Sequence, residues 1–357
     1  MVLIGSIRVF PSCRFVGGFE AYFINTPQLE YTLGGIGTLA EIPGANVIIK
    51  AIVEDQIRSR FVWPNRFHMF LPIEKVEAIA SKDYKLPKPS GVLEIILVEA
   101  RNLLRKDKGM LGAGLSDPYA TVRIGERTIG FRDSYAANTV TPKWNYTSRF
   151  IMENFHGQEV TIKVFDHDSS SRDDFLGSTN LLIDRLISSR DSDDWIKLEG
   201  VKKGDIRIAT KWKAAICSEV DGEDSDDSEP DLFVVSIYVD SCQNLARDFG
   251  SKLPYPKCIL HHAQSGTREE TAVRNMTRDP TFEEGFMFLS NDVDAENISI
   301  KVVDNKSGDM SLGRAKVPLS ILKHSPRKQF LDMDFVLDDG PNQDARITLS
   351  AKLFRVK

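Results

Sequence analysis

Chemistry concentrates in one stretch of the chain, Phe165 to Gly177, where Asp166, Asp168 and Asp174 follow a strand-like run. In that run Val160, Ile162 and Val164 alternate with Thr161 and Lys163, the period-two pattern of a strand with one buried face. A strand ending in such a loop gathers several hard carboxylate oxygens in a small volume. Two like charges ~4 Å apart repel by roughly 4 kcal/mol at the effective dielectric near a protein surface. A cation between them removes the repulsion, and calcium, which accepts six to eight oxygens at flexible geometry, is the natural guest. Two other readings compete. A Ser/Asp loop at a sheet edge is often only a solvated turn. An EF-hand fails on spacing, because Ser171 stands where its glycine belongs and Gly177 where its bidentate glutamate belongs. A second acidic loop, Lys106 to Tyr119, also follows a strand, Val92 to Val98, and weighs towards calcium.

The elements that must position these loops are read from the rest of the chain. Its 357 residues suffice for two or three domains. Hydrophobic content of 41% and charged content of 27% are ordinary for globular protein. A net charge of −5 argues against broad nucleic-acid binding. Cys13, Cys217, Cys242 and Cys258 have no metal-ligand spacing and read as free thiols in a reducing compartment. The His261-His262 pair has no matching cysteine or carboxylate motif and reads as surface loop. No run of about 18 apolar residues appears, and Met1 to Gly5 lacks the basic flank of a signal peptide. The expectation is a soluble or peripheral chain.

Residues 1–75 form a first unit, with strands at Gly5 to Phe10, Phe19 to Ile24 and Gln28 to Leu33. Pro43-Gly44 opens a helix whose apolar stripe is Ile48, Ile49, Ile52, Val53, Ile57 and Phe61, and Pro64 stops it. Residues 76–90, with Pro87 and Pro89, are a linker to a domain over 91–213. A second linker, 214–230, is acidic with almost nothing apolar over Ser218 to Pro230, a composition that predicts disorder. Residues 231–357 then repeat the preceding domain. Asn102-Leu103 recurs as Asn244-Leu245, Val160 to Val164 as Ile298 to Val302, and Leu176-Gly177 as Leu312-Gly313. Likewise Thr141-Pro142-Lys143-Trp144-Asn145 recurs as Asp279-Pro280-Thr281-Phe282-Glu283. A period of ~138 residues is too long for a solenoid and marks a duplicated domain. Many short alternating strands with little helix signal imply a mainly β protein of antiparallel sandwiches.

Both repeats resemble the C2 domain, a calcium- and phospholipid-binding sandwich. The marks are Ser116-Asp117-Pro118-Tyr119, Thr141 to Asn145, and Asp166-His167-Asp168 with Asp174 before Phe175-Leu176-Gly177. The resemblance implies two tandem eight-stranded antiparallel C2 β-sandwiches. It also implies calcium ligands Asp107, Asp117, Asp166, Asp168 and Asp174 in the first copy. In the second copy Asp107 pairs with Asp248 and Asp166 with Asp304. Asp117 becomes Tyr255, Asp168 becomes Lys306 and Asp174 becomes Met310, so the calcium ligands are lost. Residues 1–75, with the Pro43-Gly44 helix and Phe61 to Arg66, resemble the C-terminal part of the SMP lipid-binding domain, here a truncated α+β segment. The order SMP, calcium-type C2, calcium-less C2 resembles the extended synaptotagmins. That family tethers the endoplasmic reticulum to the plasma membrane and carries glycerolipids between them. Its N-terminal hydrophobic hairpin has no counterpart in this sequence.

The resemblance implies calcium-regulated binding of anionic phospholipid membranes at such contacts, with this chain peripheral on the cytosolic face. Met110, Leu111 and Leu115 are then candidates for membrane insertion. Phe15, Phe19, Tyr22, Phe23 and Leu29 are candidates for a glycerophospholipid groove, or plain core, and the SMP segment is a candidate homodimer element. Two other classes stay open. One is a non-catalytic scaffold in which the second C2 presents Lys306, Arg314, Lys316, Lys323, Arg327 and Lys328 to a protein or phosphoinositide. The other is a metal-dependent phospholipid-processing enzyme, against which stands the lack of any Gly-rich phosphate loop or Gly-x-Ser-x-Gly elbow.

Overall fold

The computed structural model describes residues 3–9, 16–23, 27, 51–54, 56–57, 61–62, 67–70, 86–105, 115–169, 172–189, 191–216, 232–246 and 252–357. For 3–9, 16–20, 22 and 67–70 the description covers the backbone alone. The chain divides into two compact units: 1–75 with 93–150 and 155–212, and 76–92 with 151–154 and 213–357.

In the first unit β1 (Leu3–Val9), β2 (Val16–Phe23) and β3 (Phe67–Phe70) form an antiparallel sheet in that order. The strand expected over Gln28 to Leu33 lies outside the described residues. Helical backbone is present at 51–54, 56–57 and 61. Val53, Ile57 and Phe61, spaced by four, are half-buried, whereas Ile52 is 57% exposed and falls off the buried face. Ile48 and Ile49 lie outside the described residues.

Among the described residues the first sandwich is built from eight strands, β4 (Gly91–Arg101), β5 (Pro118–Ile124), β6 (Arg127–Gly130), β7 (Lys143–Met152), β8 (Glu159–Asp166), β9 (Asp174–Leu182), β10 (Ser192–Lys197) and β11 (Asp205–Ile216). One face has the order β10-β11-β4-β7 and the other β6-β5-β8-β9. Between them lie Leu93, Ile95, Leu97, Val122, Ile124, Phe150, Ile162 and Val164, all essentially without solvent contact. Each such side chain contributes about 1.5–3 kcal/mol over its exposed state.

The second sandwich repeats the plan with β12 (Leu232–Gln243), β13 (Pro256–His262), β14 (Thr267–Glu270), β15 (Thr281–Ser290), β16 (Asn297–Asp304), β17 (Met310–Pro318), β18 (Gln329–Val336) and β19 (Arg346–Val356). Its faces run β18-β19-β12-β15 and β14-β13-β16-β17. The copies match in detail: the register of β8 with β9 shifts at Val164/Phe165, and that of β16 with β17 at Val302/Val303. Gly177 (φ 130°) and Gly313 (φ 145°) sit opposite these shifts in backbone that only glycine tolerates.

One expectation is corrected. His261-His262 is not a surface loop: the pair ends strand β13, and its period of two carries His262 inward, where it is fully buried. There its Nε2 stands 3.0 Å from Glu296 Oε2 and its Nδ1 2.8 Å from Ser265 Oγ, so a buried imidazole is satisfied on both sides. Cys242 and Cys258 are free and buried in this second core, while Cys13 and Cys217 lie outside the described residues. Among the described residues no helix is long and apolar enough to cross a membrane.

Candidate metal centre

Strand β8 carries Val160, Ile162 and Val164 inward, and the same period of two carries Asp166 inward as the next such position. The carboxylate is fully buried at the end of the sandwich. Its Oδ1 accepts the Asp117 N–H at 2.5 Å, and the neighbouring His167 N–H donates to Asp117 O at 3.0 Å. These two bonds tie the loop before β5 to the loop after β8. Its Oδ2 is buried and receives no hydrogen bond. Burial pushes the Asp166 carboxyl above its ordinary range. The Ser116 hydroxyl and Asp117 N–H oppose that shift, and the charges of Asp168 and Asp117 add to it. A buried carboxylate oxygen without a donor, held among further carboxylates, costs at least about 1–3 kcal/mol, so the donor set fits a hard cation.

The other expected ligands fall as follows. Asp117 is half-buried, and its Oδ1 accepts the Asn138 N–H at 2.5 Å. Asp168 is half-buried, and its charge reaches Asp166. Asp174 opens β9 directly opposite Asp166 in the register and is exposed. Asp107 lies outside the described residues, as do Met110 and Leu111. Leu115 is half-buried, with its N–H directed at Asn138 Oδ1 3.3 Å away. Among the described residues no three His, Cys, Asp or Glu side chains already stand in a metal-holding group.

Sequence reasoning missed the residues that brace this loop. Asp173, adjacent to Asp174, accepts from Tyr119 Oη (2.7 Å), Arg132 Nε (2.7 Å), Arg132 Nη2 (2.9 Å) and the Asp168 N–H (3.1 Å). The Arg132 guanidinium holds its carboxyl well below the usual carboxylate range. Burial, then the bond to Asp173, pushes the Tyr119 hydroxyl up to about 12. Tyr135 stacks on His167 with ring centres 4.2 Å apart. Tyr119 lies within the Ser116-Asp117-Pro118-Tyr119 motif, the one signal that pointed here. Trp144 accounts for another motif, since its buried indole donates to Pro118 O at 3.1 Å and fixes the start of β5.

The second copy keeps the scaffold and closes the site. Asp304 is buried at the position of Asp166, and its Oδ1 accepts the Tyr255 and Lys306 N–H groups, each at 3.1 Å. Its Oδ2 accepts the Ser307 hydroxyl at 3.0 Å, so neither oxygen is orphaned. Lys306 Nζ lies 3.7 Å above the centre of the Tyr255 ring, a cation on an aromatic face. Asp248 lies outside the described residues. Of the six cations singled out, Arg314 and Lys316 line a groove of 430 Å³ with Arg268, Lys301 and Asp309, whereas Lys323 is engaged by Asp294 at 2.5 Å.

In the first segment Phe15 and Leu29 lie outside the described residues. Phe19, Tyr22 and Phe23 are on β2, opposite Ile7, Ile4 and Leu3 in the register. By the period of two, positions 19 and 23 share one face of the sheet and position 22 takes the other. Phe23 is half-buried and bridges to Val62, which is fully buried.

Comparison with known proteins identifies the repeated domain and its relatives. Residues 91–198 and 233–333 match the C2 domain. Human extended synaptotagmin-2 is 28% identical over 356 residues, covering 96% of this chain, while the chain spans 38% of that relative's length. A solved structure of extended synaptotagmin 2 that holds its SMP domain and a pair of C2 domains aligns over 98% of this chain and 74% of that one, with a TM-score of 0.62 and 29% identity. The same pair of C2 domains in its calcium-bound form aligns over 76% of this chain and 98% of that one, with a TM-score of 0.60 and 28% identity. The chain belongs to the C2-domain family, holds two copies of that domain, and is a homologue of the extended synaptotagmins along almost its whole length.

Proposed function

We propose that the first C2 domain docks on anionic phospholipid membranes when calcium is bound, and that the second supports tethering without calcium. The observation that carries this reading is Asp166, buried with an orphaned oxygen and flanked by the charges of Asp117 and Asp168. Asp107, Asp117, Asp166, Asp168 and Asp174 would hold the ion, and a calcium-bound C2 pair among the structural relatives supports the choice of metal. Bound calcium supplies positive charge between these carboxylates and lipid phosphates. Without it, the acidic loops repel an anionic leaflet, each charge near such a surface mattering by about 1 kcal/mol. Met110, Leu111 and Leu115 then reach the interface, each adding about 1.5–3 kcal/mol if fully buried. In the second copy Asp304 is satisfied by protein donors and Lys306 stands where Asp168 does, which leaves a cation no site there.

Residues 1–75 are assigned a share in harbouring glycerophospholipid and in homodimer formation. The setting is the cytosolic face of endoplasmic reticulum–plasma membrane contacts. The role is non-catalytic. Sedimentation with vesicles containing phosphatidylserine tests the switch. Wild-type chain is expected to pellet with calcium and stay in solution with chelator, and Asp166→Asn with Asp168→Asn to lose the calcium-dependent fraction. A double variant that pellets as wild type does contradicts the reading.

A further inference from the structure

We propose that Arg132 is a positioning residue for the metal-binding loop after β8: through Asp173 it holds Asp168 in place before any cation arrives. The inference rests on the calcium reading above. Two backbone groups of Asp168 are held by this pair: its N–H donates to Asp173 Oδ1 at 3.1 Å, and its carbonyl accepts Arg132 Nη2 at 3.1 Å. The guanidinium grips both oxygens of Asp173, at 2.7 and 2.9 Å, and the Tyr119 hydroxyl adds a third bond at 2.7 Å. Arg132 opens a short 3-10 turn, Arg132–Ser134, well separated in sequence from the loop it braces. Asp173, though acidic and next to Asp174, is thereby committed to the protein and withdrawn from the ion. A planar, two-pronged donor suits this task, since it fixes direction as well as distance.

Charge and position predict opposite signs here. Arg132 is a cation beside a cation site, so as a mere charge its loss would strengthen calcium binding. As a brace its loss frees the loop, and residues that orient metal ligands typically change affinity by about 10–100-fold. The test is calorimetric titration of calcium into the whole chain, wild type against Arg132→Ala and Tyr119→Phe, the second variant keeping its ring in the fold. Amide exchange over 167–169 and 172–173 is followed without calcium. Arg132→Ala is expected to bind calcium about 10-fold more weakly, and Tyr119→Phe more weakly by a smaller factor. Both should show faster exchange in that loop only. Arg132→Ala binding as tightly as wild type or tighter, or exchange unchanged in both variants, overturns the brace while the calcium site stands. A wild type that gives no calcium heat removes the site, and the brace's purpose with it.

Discussion

Asp166 stands at an inward position of a strand whose preceding inward residues are Val160, Ile162 and Val164. The backbone period places the carboxylate in the sandwich, and burial with two neighbouring charges then raises its pKa above 3.8. In the folded chain it therefore keeps its proton to higher pH than in the unfolded chain. The folded state binds the more protons, and this group's contribution to stability falls as pH rises from the ordinary carboxylate range through the raised value. With chelator present, wild type should lose stability relative to Asp166→Asn over that window. Above it the variant should be more stable by about 1–2 kcal/mol. Urea denaturation of both proteins across the acid range reads the difference, and parallel pH profiles would exclude it. Saturating calcium should erase the wild-type deficit. The strand and its carboxylates were legible in the sequence. The bonds that Arg132 donates to Asp173 were not, because nothing local distinguishes Asp173 from the acidic residues around it.

At the scale of elements, duplication made the fold readable, and the structure supplies the reason for several repeated pairs. Leu176-Gly177 and Leu312-Gly313 recur because each glycine sits at a register shift with positive φ against a packed neighbour. A Cβ at Gly177 would lie 2.8 Å from Leu198 Cβ, and one at Gly313 would lie 2.7 Å from Leu337 Cβ. Gly177→Ala and Gly313→Ala should each cost at least about 2 kcal/mol, seen as an earlier urea midpoint in the domain that carries the change. Equal midpoints would show that the bulge relaxes freely. Asn102 and Asn244 recur for a related reason, at φ 56° and 58°. His262 was misread because the period of β13 and its partner Glu296, a long way along the chain, decide its burial. Phe282 in place of Trp144 keeps only half of the motif's job: the ring stays buried, but it has no N–H to repeat the bond that the Trp144 indole makes to Pro118 O.

For the whole molecule, one chain carries the same scaffold twice, with the buried carboxylate at the corresponding strand end served differently in each copy. In the first copy Asp166 is left one oxygen short of donors. In the second Asp304 is fully served by Tyr255, Lys306 and Ser307. The duplication makes Lys306 and Tyr255 legible in the sequence as replacements for Asp168 and Asp117. The stacking of that lysine on that ring is a packing outcome no spacing encodes. On the calcium reading proposed above, such an arrangement is expected to respond to the ion through the first copy only. Calorimetric titration of calcium into the whole chain measures this most directly, with wild type, Asp166→Asn and Asp304→Asn compared. The account predicts binding heat in wild type, its loss in Asp166→Asn and its retention in Asp304→Asn. Heat that survives Asp166→Asn, or that vanishes in a folded Asp304→Asn, would contradict it.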